Sequence, residues 1–345
     1  MVRVGCEALR RMTDRAQRST ELLFSFGVIA DVQYADTEDG FNYTGTRQRY
    51  YRSSLDLLRS AIRDWNREAP PPVFVLQLGD IIDGCNSRQK TSARALRAVL
   101  AELTRCRCPV HHVWGNHEFY NFDRNELLTS ALNSKHLGED PTSGAAANDP
   151  EGFYSYHFSP FPKFRFVLTD TYDLSVLGRQ NGSKKHQEAL QTLREKNKNE
   201  NLNSPIGLAE QNFVEFNGGF SREQLEWLNQ VLTFSDNNQE KVTVVGHLPV
   251  HPNSTDPICV AWNYEKILSV LHAHQSVVCF ISGHDHDGGY FLDEHGIHHL
   301  TFEGVIETPP NSQAFGTIYA HEDRMVLVGR GRVPNRILHY RKTGD

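Results

Sequence analysis

Five short apolar segments recur along the chain, and each of them ends abruptly in polar residues. They are four to seven residues long and rich in Val, Ile and Phe, which is typical of strands buried on both faces. The segments are Phe24–Ala30, Val73–Leu78, Val110–Trp114, Val242–Val245 and Val277–Ile281. The pattern therefore predicts buried strands rather than helices at these positions.

Helical patterns separate several of these segments, with apolar residues at spacings of three and four. The two clearest sets are Tyr51, Leu55, Leu58, Ile62 and Trp65, and Leu96, Val99, Leu100 and Leu103. A third helix is predicted to begin at Ser221, because Gln224 three residues later resembles a capping box. The alternation of strand and helix predicts an α/β fold, with sheets packed face to face and helices outside.

The stretch from Leu174 to Phe216 departs from this alternation. It is rich in Asn, Lys, Gln and Glu, and only Lys184–Asn197 has helical character. We predict a polar surface insertion at about 174–216, with a position over the site as one option, inside a single domain spanning 21–345. Residues 1–20 carry five arginines but lack a long apolar core, so a loose N-terminal lead is expected.

The C-terminal part, from His298 to Leu338, alternates between apolar and polar positions. This period is typical of antiparallel strands with one solvated face. Turns are predicted at Pro309-Pro310 and at Gly329.

Composition narrows the class of protein. The chain has 345 residues, 39% of them hydrophobic, which is enough to bury a sizeable core. Its net charge of −6 argues against a nucleic-acid partner, and no apolar run approaches the ~18 residues of a membrane-spanning helix. The six cysteines show no disulfide framework. We expect a cytoplasmic protein without a membrane partner, and leave its oligomeric state open.

Each of the five apolar segments is followed at once by residues that bind metals or move protons. The five blocks are Asp31-Val32-Gln33, Gly79-Asp80-Ile81-Ile82-Asp83, Gly115-Asn116-His117-Glu118, Gly246-His247-Leu248-Pro249 and Gly283-His284-Asp285-His286. An aspartate after a strand is by itself usually a turn residue. Ligands of open α/β sheets, however, gather at the carboxyl ends of the strands, so five such ends are expected to converge on one site.

These blocks resemble the signature of the calcineurin-like metallophosphoesterase superfamily. The resemblance runs from about Phe24 to at least Phe302, with all five blocks in order. It implies a four-layer αββα sandwich of two mixed sheets. The contexts Asp31–Asp39 and Asp80–Gly84, together with the insertion, are most similar to the manganese-dependent ADP-ribose/CDP-alcohol diphosphatase subgroup.

The resemblance also implies two metal sites that share one aspartate. One set of ligands would be Asp31, Gln33, Asp80 and His286, and the other Asp80, Asn116, His247 and His284. The wider family has histidine where this chain has Gln33, a neutral and harder oxygen donor. Three oxygen donors and one imidazole favour Mn²⁺, with Mg²⁺ possible, over zinc.

The expected reaction is attack on phosphorus by a hydroxide that two metals share, cleaving the diphosphate linkage of a small nucleotide such as ADP-ribose or a CDP-alcohol. By the resemblance, His117 lies near the leaving-group oxygen as an acid or donor. Asp83 is expected to hydrogen-bond His117 and to favour its protonated form. Arg47, Tyr43 and Phe41 follow the first block closely and are candidates for substrate contacts, although ordinary packing also explains them.

Several alternatives remain from the sequence. Gly84 stands where protein Ser/Thr phosphatases have arginine, and Asp83 where purple acid phosphatases have a tyrosine ligand. A cyclic-nucleotide phosphodiesterase, or another small-molecule phosphoesterase, has an overlapping signature. A catalytically dead scaffold of the same fold is the non-enzyme alternative, but each ligand position carries a competent donor.

Overall fold

The computed structural model describes residues 21–42, 44–139 and 151–341. The predicted loose lead, residues 1–20, lies outside this part of the chain, and so does Tyr43. The strands are β1 (Phe24–Ile29), β2 (Gly40–Phe41), β3 (Gln48–Arg49), β4 (Phe74–Gln77), β5 (Val110–His112), β6 (Tyr156–Phe161), β7 (Phe164–Leu168), β8 (Lys241–Val245), β9 (Val277–Ser282), β10 (Gly289–Leu292), β11 (His298–Thr301), β12 (Ala314–Ala320), β13 (Arg324–Gly331) and β14 (Arg336–His339). The α-helices are α1 (Ser53–Arg67), α2 (Cys85–Gln89), α3 (Ser92–Leu103), α4 (Asn116–Asn121), α5 (Arg124–Thr129), α6 (Lys184–Lys196), α7 (Arg222–Asn237) and α8 (Tyr264–His272).

Two six-stranded mixed sheets form the body of the fold. The first has the order β14-β13-β12-β1-β4-β5, and the second β10-β11-β9-β8-β7-β6. In the first sheet β1, β4 and β5 run parallel. In the second sheet β7, β8 and β9 run parallel. All five strands predicted from the apolar segments are present, and they form most of these two parallel cores.

Aromatic side chains join the inner faces of the two sheets. Phe26 of β1 lies 5.0 Å, centroid to centroid, from Phe166 of β7, with the rings edge to face. Phe74 of β4 makes similar contacts with Phe158 and Phe166. All four rings are buried, so the interior between the sheets is the main hydrophobic core of the described chain.

Helices cover the outer faces. Trp65 of α1 packs edge to face on Phe315 of β12 and fills the space beside Gly27 of β1, where any side chain would collide with its ring. On the second sheet, α7 begins after Ser221, whose Oγ accepts the Gln224 N–H at 3.1 Å. Only this half of the predicted capping box is present, because the Gln224 side chain bonds to Ser155 and Asp170 and not to Ser221. The predicted four-layer αββα sandwich is confirmed.

The C-terminal prediction was only partly correct. Strands β12, β13 and β14 pair antiparallel, but β11 pairs parallel with β9 and antiparallel with β10. The turn predicted at Gly329 is wrong, because Gly329 lies inside β13 and pairs with Gly316. A side chain at Gly329 would collide with the backbone of Val333, so glycine here permits a close approach rather than a turn.

The polar insertion folds around a small core of its own. Its helix α6 lies within the predicted Lys184–Asn197, and this core consists of Ala189, Leu193, Leu202 and Phe213 of the insertion together with Trp262 from outside it. The organisation as a single domain spanning 21–345 remains a prediction. Among the described helices, none has both the length and the apolar character needed to cross a membrane.

Candidate dimetal centre

The carboxyl ends of the parallel strands bring the predicted site residues together. Asp31 follows β1, Asp80 follows β4 and Asn116 opens α4 after β5, while His247 and His284 follow β8 and β9. All of them are buried except His284, which is partly buried. The convergence arises because both sheets direct their parallel strand ends toward the same edge of the sandwich.

The backbone at this edge is unusual. Asp31, Gln33, Asp80 and His284 all have positive φ, between +42° and +71°. Such conformations are costly for residues with side chains and persist where the surroundings enforce them, often at functional sites. At Gly115 a side chain would collide with the Asp80 carboxylate and the His247 ring, so glycine permits close packing of these groups.

One group of potential metal-ligand atoms lies around Asp80 Oδ2. Ligand atoms of Asp80, His247 and His284 all lie within 4.8 Å of one another. Asp80 Oδ1 accepts the His117 backbone N–H at 2.8 Å, which leaves Oδ2 facing inward, 3.5 Å from His247 Nε2. This geometry gives Asp80 one oxygen fixed by the backbone and one directed into the centre.

The three histidines each donate one ring N–H to a protein acceptor. His247 Nδ1 donates to the Leu78 carbonyl at 2.7 Å, and His286 Nδ1 donates to Glu307 Oε1 at 2.9 Å. His284 Nε2 donates to Asn217 Oδ1 at 2.9 Å. The other nitrogen of each ring is thereby turned toward the centre, as in metal-binding histidines.

The orientation of Asn217 is fixed independently. Its Nδ2 donates to the backbone oxygens of Asn212 and Ile258, at 2.9 and 2.6 Å, so Oδ1 must be the atom that faces His284. With Nε2–H directed at Asn217, the Nδ1 lone pair of His284 points at His247 Nε2, 3.2 Å away. Two unprotonated nitrogens at this distance repel each other unless a proton or a cation lies between them.

A second group of donors contains Asp31, Gln33 and His286. His286 Nε2 lies 3.4 Å from Asp31 Oδ1 and 2.9 Å from Gln33 Nε2. Gln33 Nε2 is also 3.2 Å from Asp80 Oδ2. Asp31 Oδ1 and Gln33 Oε1 are buried, and within the described chain neither has a hydrogen-bond donor. Unpaired buried oxygens are unfavourable, so these two fit a cation.

Asn116 is held between two tyrosines. Its Oδ1 accepts the Tyr172 hydroxyl at 3.1 Å, and its Nδ2 lies 3.3 Å from the Tyr120 hydroxyl. Tyr172 is fully buried. In this orientation one lone pair of Oδ1 is left for a further partner.

The predicted contact between Asp83 and His117 needs correction. His117 Nδ1 accepts the Gly84 backbone N–H at 2.8 Å, whereas Asp83 Oδ2 is 3.5 Å away. An acceptor Nδ1 carries no proton, so the neutral ring has its proton on Nε2, which lies 3.9 Å from Asp80 Oδ2. Asp83 instead accepts the Cys85 N–H and pairs with Arg49.

The pKa values of the histidines in this centre depend on two opposing effects, burial of the ring and the charge of nearby carboxylates. Burial opposes the charged form of His247, but Asp80 outweighs it and raises the pKa of His247 to about 9. Asp31 and Glu307 likewise raise the pKa of His286 to about 9 against burial. Burial and the neighbouring His247 lower the pKa of His284. Burial also lowers the pKa of His117, against the pull of Asp80 and Asp83. Asp83 thus favours protonated His117, as expected, but burial of the ring outweighs it.

Glu118 supports the centre from behind. Its carboxylate accepts the backbone N–H groups of Asp80, Gly115 and Ile81, each at 2.7 Å. These bonds tie the loop after β4 to the start of α4. Burial and the charge of Asp80 raise the pKa of Glu118 to about 8, although the three amides oppose this shift.

The substrate candidates lie at the rim, as far as the structure describes them. Phe41 is 64% exposed, and Arg47 pairs with Asp287, next to His286, at 2.6 Å. Arg49, which the sequence analysis did not single out, lies deeper, with its side chain 18% exposed between Asp83 and Glu307.

No sequence pattern indicates the residues that orient the proposed ligands, which are Glu118, Tyr172, Asn217 and Glu307. Glu118 belonged to a quoted block, but nothing local assigned it a role. Tyr172, Asn217 and Glu307 lie outside the five blocks. Asn217 comes directly after the polar insertion. Tyr172 reaches the centre because it follows strand β7, which the sequence patterns also failed to indicate.

Comparison with known proteins gives this arrangement a family. The sequence pattern described as calcineurin-like phosphoesterase matches residues 24–288. The chain belongs to this family. The resemblance drawn from the five blocks is thereby confirmed, and the family assignment agrees with the two mixed sheets and with the site at their common edge.

Individual relatives are similar over nearly the whole chain. Proteins named manganese-dependent ADP-ribose/CDP-alcohol diphosphatase from Bos taurus and Homo sapiens are 58% and 57% identical, covering 94% of this chain and 96% and 95% of their own. One from Arabidopsis thaliana is 39% identical over 90% of this chain and 95% of its own. A crystal structure of a dimetal phosphatase from Danio rerio matches with a TM-score of 0.88 at 56% identity, covering 93% of this chain and all of that one (100%).

Proposed function

We propose that this chain is a dimetal hydrolase that cleaves the diphosphate linkage of nucleoside diphosphate derivatives such as ADP-ribose and CDP-alcohols. The reaction would require two divalent cations bound to the protein, with Mn²⁺ preferred. The names of the relatives support this substrate class and this metal. The observation in the structure that carries it is a pair of buried oxygens that accept no hydrogen bond in the described chain, Asp31 Oδ1 and Gln33 Oε1.

The donors divide between two positions that share Asp80. We assign one cation to Asp31, Gln33, Asp80 and His286, and the other to Asp80, Asn116, His247 and His284. Asp80 Oδ2 lies near Gln33 of the first set and His247 of the second, which suits a shared ligand. Rotation of the Gln33 amide by half a turn would direct Oε1, rather than Nε2, toward its neighbours in this set.

When bound, the cations supply positive charge to the phosphoryl oxygens and lower the pKa of water for attack on phosphorus. The chain itself supplies a hydrogen-bond donor beside them, because the Gly84 contact leaves the proton of neutral His117 on Nε2. This N–H can bind a phosphoryl or leaving-group oxygen without first protonating the ring. Asp83 fixes the turn through Cys85 N and Arg49, and thus positions Gly84.

The polar rim suits an anionic nucleotide. Arg47 can exchange its partner Asp287 for a substrate phosphate, and exposed Phe41 offers an apolar surface for a base or sugar. Tyr43 remains a proposed contact from its place in the sequence alone. The cytosolic location also remains a proposal, which fractionation of cells would test.

A substrate panel tests the proposed reaction. The protein is assayed with ADP-ribose, CDP-choline, a cyclic nucleotide and an alkyl phosphate, each with Mn²⁺, Mg²⁺ or Zn²⁺, and in ¹⁸O-labelled water. We expect the two diphosphates to give pairs of phosphate monoesters, fastest with Mn²⁺, with one labelled phosphate in each pair. Turnover of the cyclic nucleotide alone, or none with any metal, would refute the assignment.

Matched variants connect that activity to the centre. Asp80→Ala should abolish turnover and bring bound Mn²⁺ close to zero. Asp56→Ala removes an exposed aspartate of α1, paired with Arg59, and should leave both unchanged. Normal turnover with two metals per chain in Asp80→Ala would show that the site is elsewhere.

A further inference from the structure

Outside the metal centre, two cysteine side chains lie in contact on the loop between α3 and β5. Cys106 Sγ and Cys108 Sγ are 3.5 Å apart, close enough for a thiol hydrogen bond. One residue, Arg107, separates them in the chain. Both side chains are partly buried against the main core, so they remain open to solvent on one side.

The backbone on both sides of the pair is held in place. Asn66 of α1 clamps the loop, because its Nδ2 donates to the Arg105 carbonyl at 2.8 Å and its Oδ1 accepts the Arg107 N–H at 3.0 Å. Cys106 N–H donates to the Leu103 carbonyl at 2.9 Å. The proximity of the two sulfurs is thus set by a hydrogen-bonded loop.

The two thiols are unequal in acidity. The contact with Cys108 lowers the pKa of Cys106 to about 7, because a thiol of Cys108 that donates to the Cys106 sulfur stabilises the Cys106 thiolate. The same contact, together with burial, raises the pKa of Cys108. Cys106 is therefore the nucleophile of the pair, since the thiolate is the reactive form.

We propose that Cys106 and Cys108 form a redox-active dithiol that closes to an intramolecular disulfide by exchange with a small-molecule disulfide such as glutathione disulfide. Cys106 Sγ attacks one sulfur of the oxidant, forming a mixed disulfide and releasing one thiolate. Cys108 then loses its proton and attacks Cys106 Sγ, releasing the second thiolate. Two electrons leave the protein, and the oxidant becomes two thiols.

The remaining cysteines of the described chain provide internal controls. Cys85 and Cys279 are buried, and burial raises the pKa of the Cys279 thiol. Cys259 is partly exposed, and burial of its sulfur raises its pKa as well. These three should react more slowly than Cys106 at neutral pH.

The sequence around the pair allows a direct assay. The full-length protein with Mn²⁺ is equilibrated with glutathione buffers of graded oxidation, alkylated and digested with trypsin without reduction. Cleavage after Arg105 and Arg107 frees the dipeptide Cys106-Arg107, which stays joined to the peptide starting at Cys108 only through a disulfide. We expect this linked species in the wild type under oxidising buffer, and its loss on reduction.

Two variants separate closure from simple modification. Cys108→Ser should accumulate a stable glutathione adduct on Cys106, whereas Cys259→Ser should still form the linked species. Alkylated Cys106 and Cys108 in oxidised wild type, a persistent adduct on Cys106, or a disulfide to another cysteine would each overturn the proposal.

A trivalent arsenical, which binds two adjacent thiols, gives a second measurement on the unoxidised protein. Phenylarsine oxide should bind one equivalent to the wild type and to Cys259→Ser, and its affinity should fall at least tenfold in Cys108→Ser. Equal binding to wild type and Cys108→Ser would show that the two thiols do not act as a pair.

Discussion

At the scale of single residues, Gln33 is the donor that distinguishes this centre from the wider family pattern. Its side chain lies beside both Asp80 and His286, and its buried Oε1 lacks a donor among the described residues. An amide oxygen is a harder ligand than imidazole, so we expect the proposed first position to favour Mn²⁺ over Zn²⁺.

Replacing Gln33 with His should shift this preference. We expect relative affinity to move toward Zn²⁺ by about tenfold, or ~1.4 kcal/mol, because imidazole is the softer ligand. Binding and turnover with Mn²⁺ and Zn²⁺ should be measured on the same preparation, with wild type as reference. An unchanged Mn²⁺/Zn²⁺ ratio would mean that Gln33 does not set metal choice.

His117 should separate chemistry from metal binding, because it belongs to neither ligand set. His117→Ala should lower kcat by roughly 10²- to 10⁴-fold, with both metals retained. The loss should be greater for an alkyl phosphate than for a diphosphate, whose leaving group needs less assistance. Metal analysis and kcat on both substrates test this; loss of a metal would make His117 a ligand.

Glu307 orients His286 by accepting its Nδ1–H. Glu307→Ala should weaken metal binding by roughly 10- to 100-fold, since the ring loses its fixed tautomer and orientation. Glu307→Gln keeps an oxygen acceptor and should lose less. Mn²⁺ titration by calorimetry compares the three proteins. Equal losses in both variants would show that charge, rather than the hydrogen bond, is what Glu307 contributes.

At the scale of elements, the polar insertion ends where it reaches the metal centre. Asn217 follows the insertion and fixes the tautomer of His284, while Phe216 packs beside the same ring, 5.8 Å between centroids. The insertion is also tied to the body by buried pairs such as Asp173 with Arg179. The C-terminal end of the insertion and the residue after it therefore contact a proposed metal ligand, His284.

Asn217→Ala should accordingly weaken Mn²⁺ binding by roughly 10- to 100-fold, although Asn217 is no ligand in either proposed set. Gln187→Ala, which removes an exposed amide from the preceding insertion, is the matched control and should bind Mn²⁺ as wild type does. Metal titration measures the Mn²⁺ affinity of both variants, and circular dichroism shows whether they are folded. Unchanged affinity in a folded Asn217→Ala would mean that His284 needs no fixed tautomer.

At the scale of the whole molecule, the two sheets meet at an edge that concentrates buried carboxylates. Asp31 and Asp80 are both fully shielded from solvent, on neighbouring strands of one sheet, and the histidines that face them come from the other. A cation bound between the sheets therefore links the two halves of the sandwich.

Mn²⁺ should for this reason stabilise the entire fold. At a free concentration about 100 times Kd, mass action predicts about 2.7 kcal/mol of added unfolding free energy per site. Urea unfolding in the presence of Mn²⁺ and of a chelator measures the difference in unfolding free energy. In Asp80→Ala most of this difference should be lost. An equal gain in Asp80→Ala would indicate that Mn²⁺ acts elsewhere on the chain.

The strands that sequence reasoning missed show what local pattern cannot reveal. In β7, Arg165 interrupts an apolar run, and its ion pairs with Glu240 and Glu139 help to offset the cost of its burial. In β6, Pro160 and half-buried positions suit an edge strand, which carries a weak signal. Strand direction, as in β11, depends on a partner strand that no local period specifies.

The sequence by itself determined most strands of the two parallel cores, β7 excepted, and the polar residues at their ends, because burial on both faces and turn chemistry are local properties. It also predicted the family and the αββα architecture. The tertiary structure alone decided how the donors are oriented. Asn217 is 67 positions from His284, and Glu307 is 21 from His286. Such hydrogen bonds join residues that only the packing of the sheets brings together, so they leave no pattern along the chain. The same holds for the Gly84 contact that turns His117 into a neutral donor.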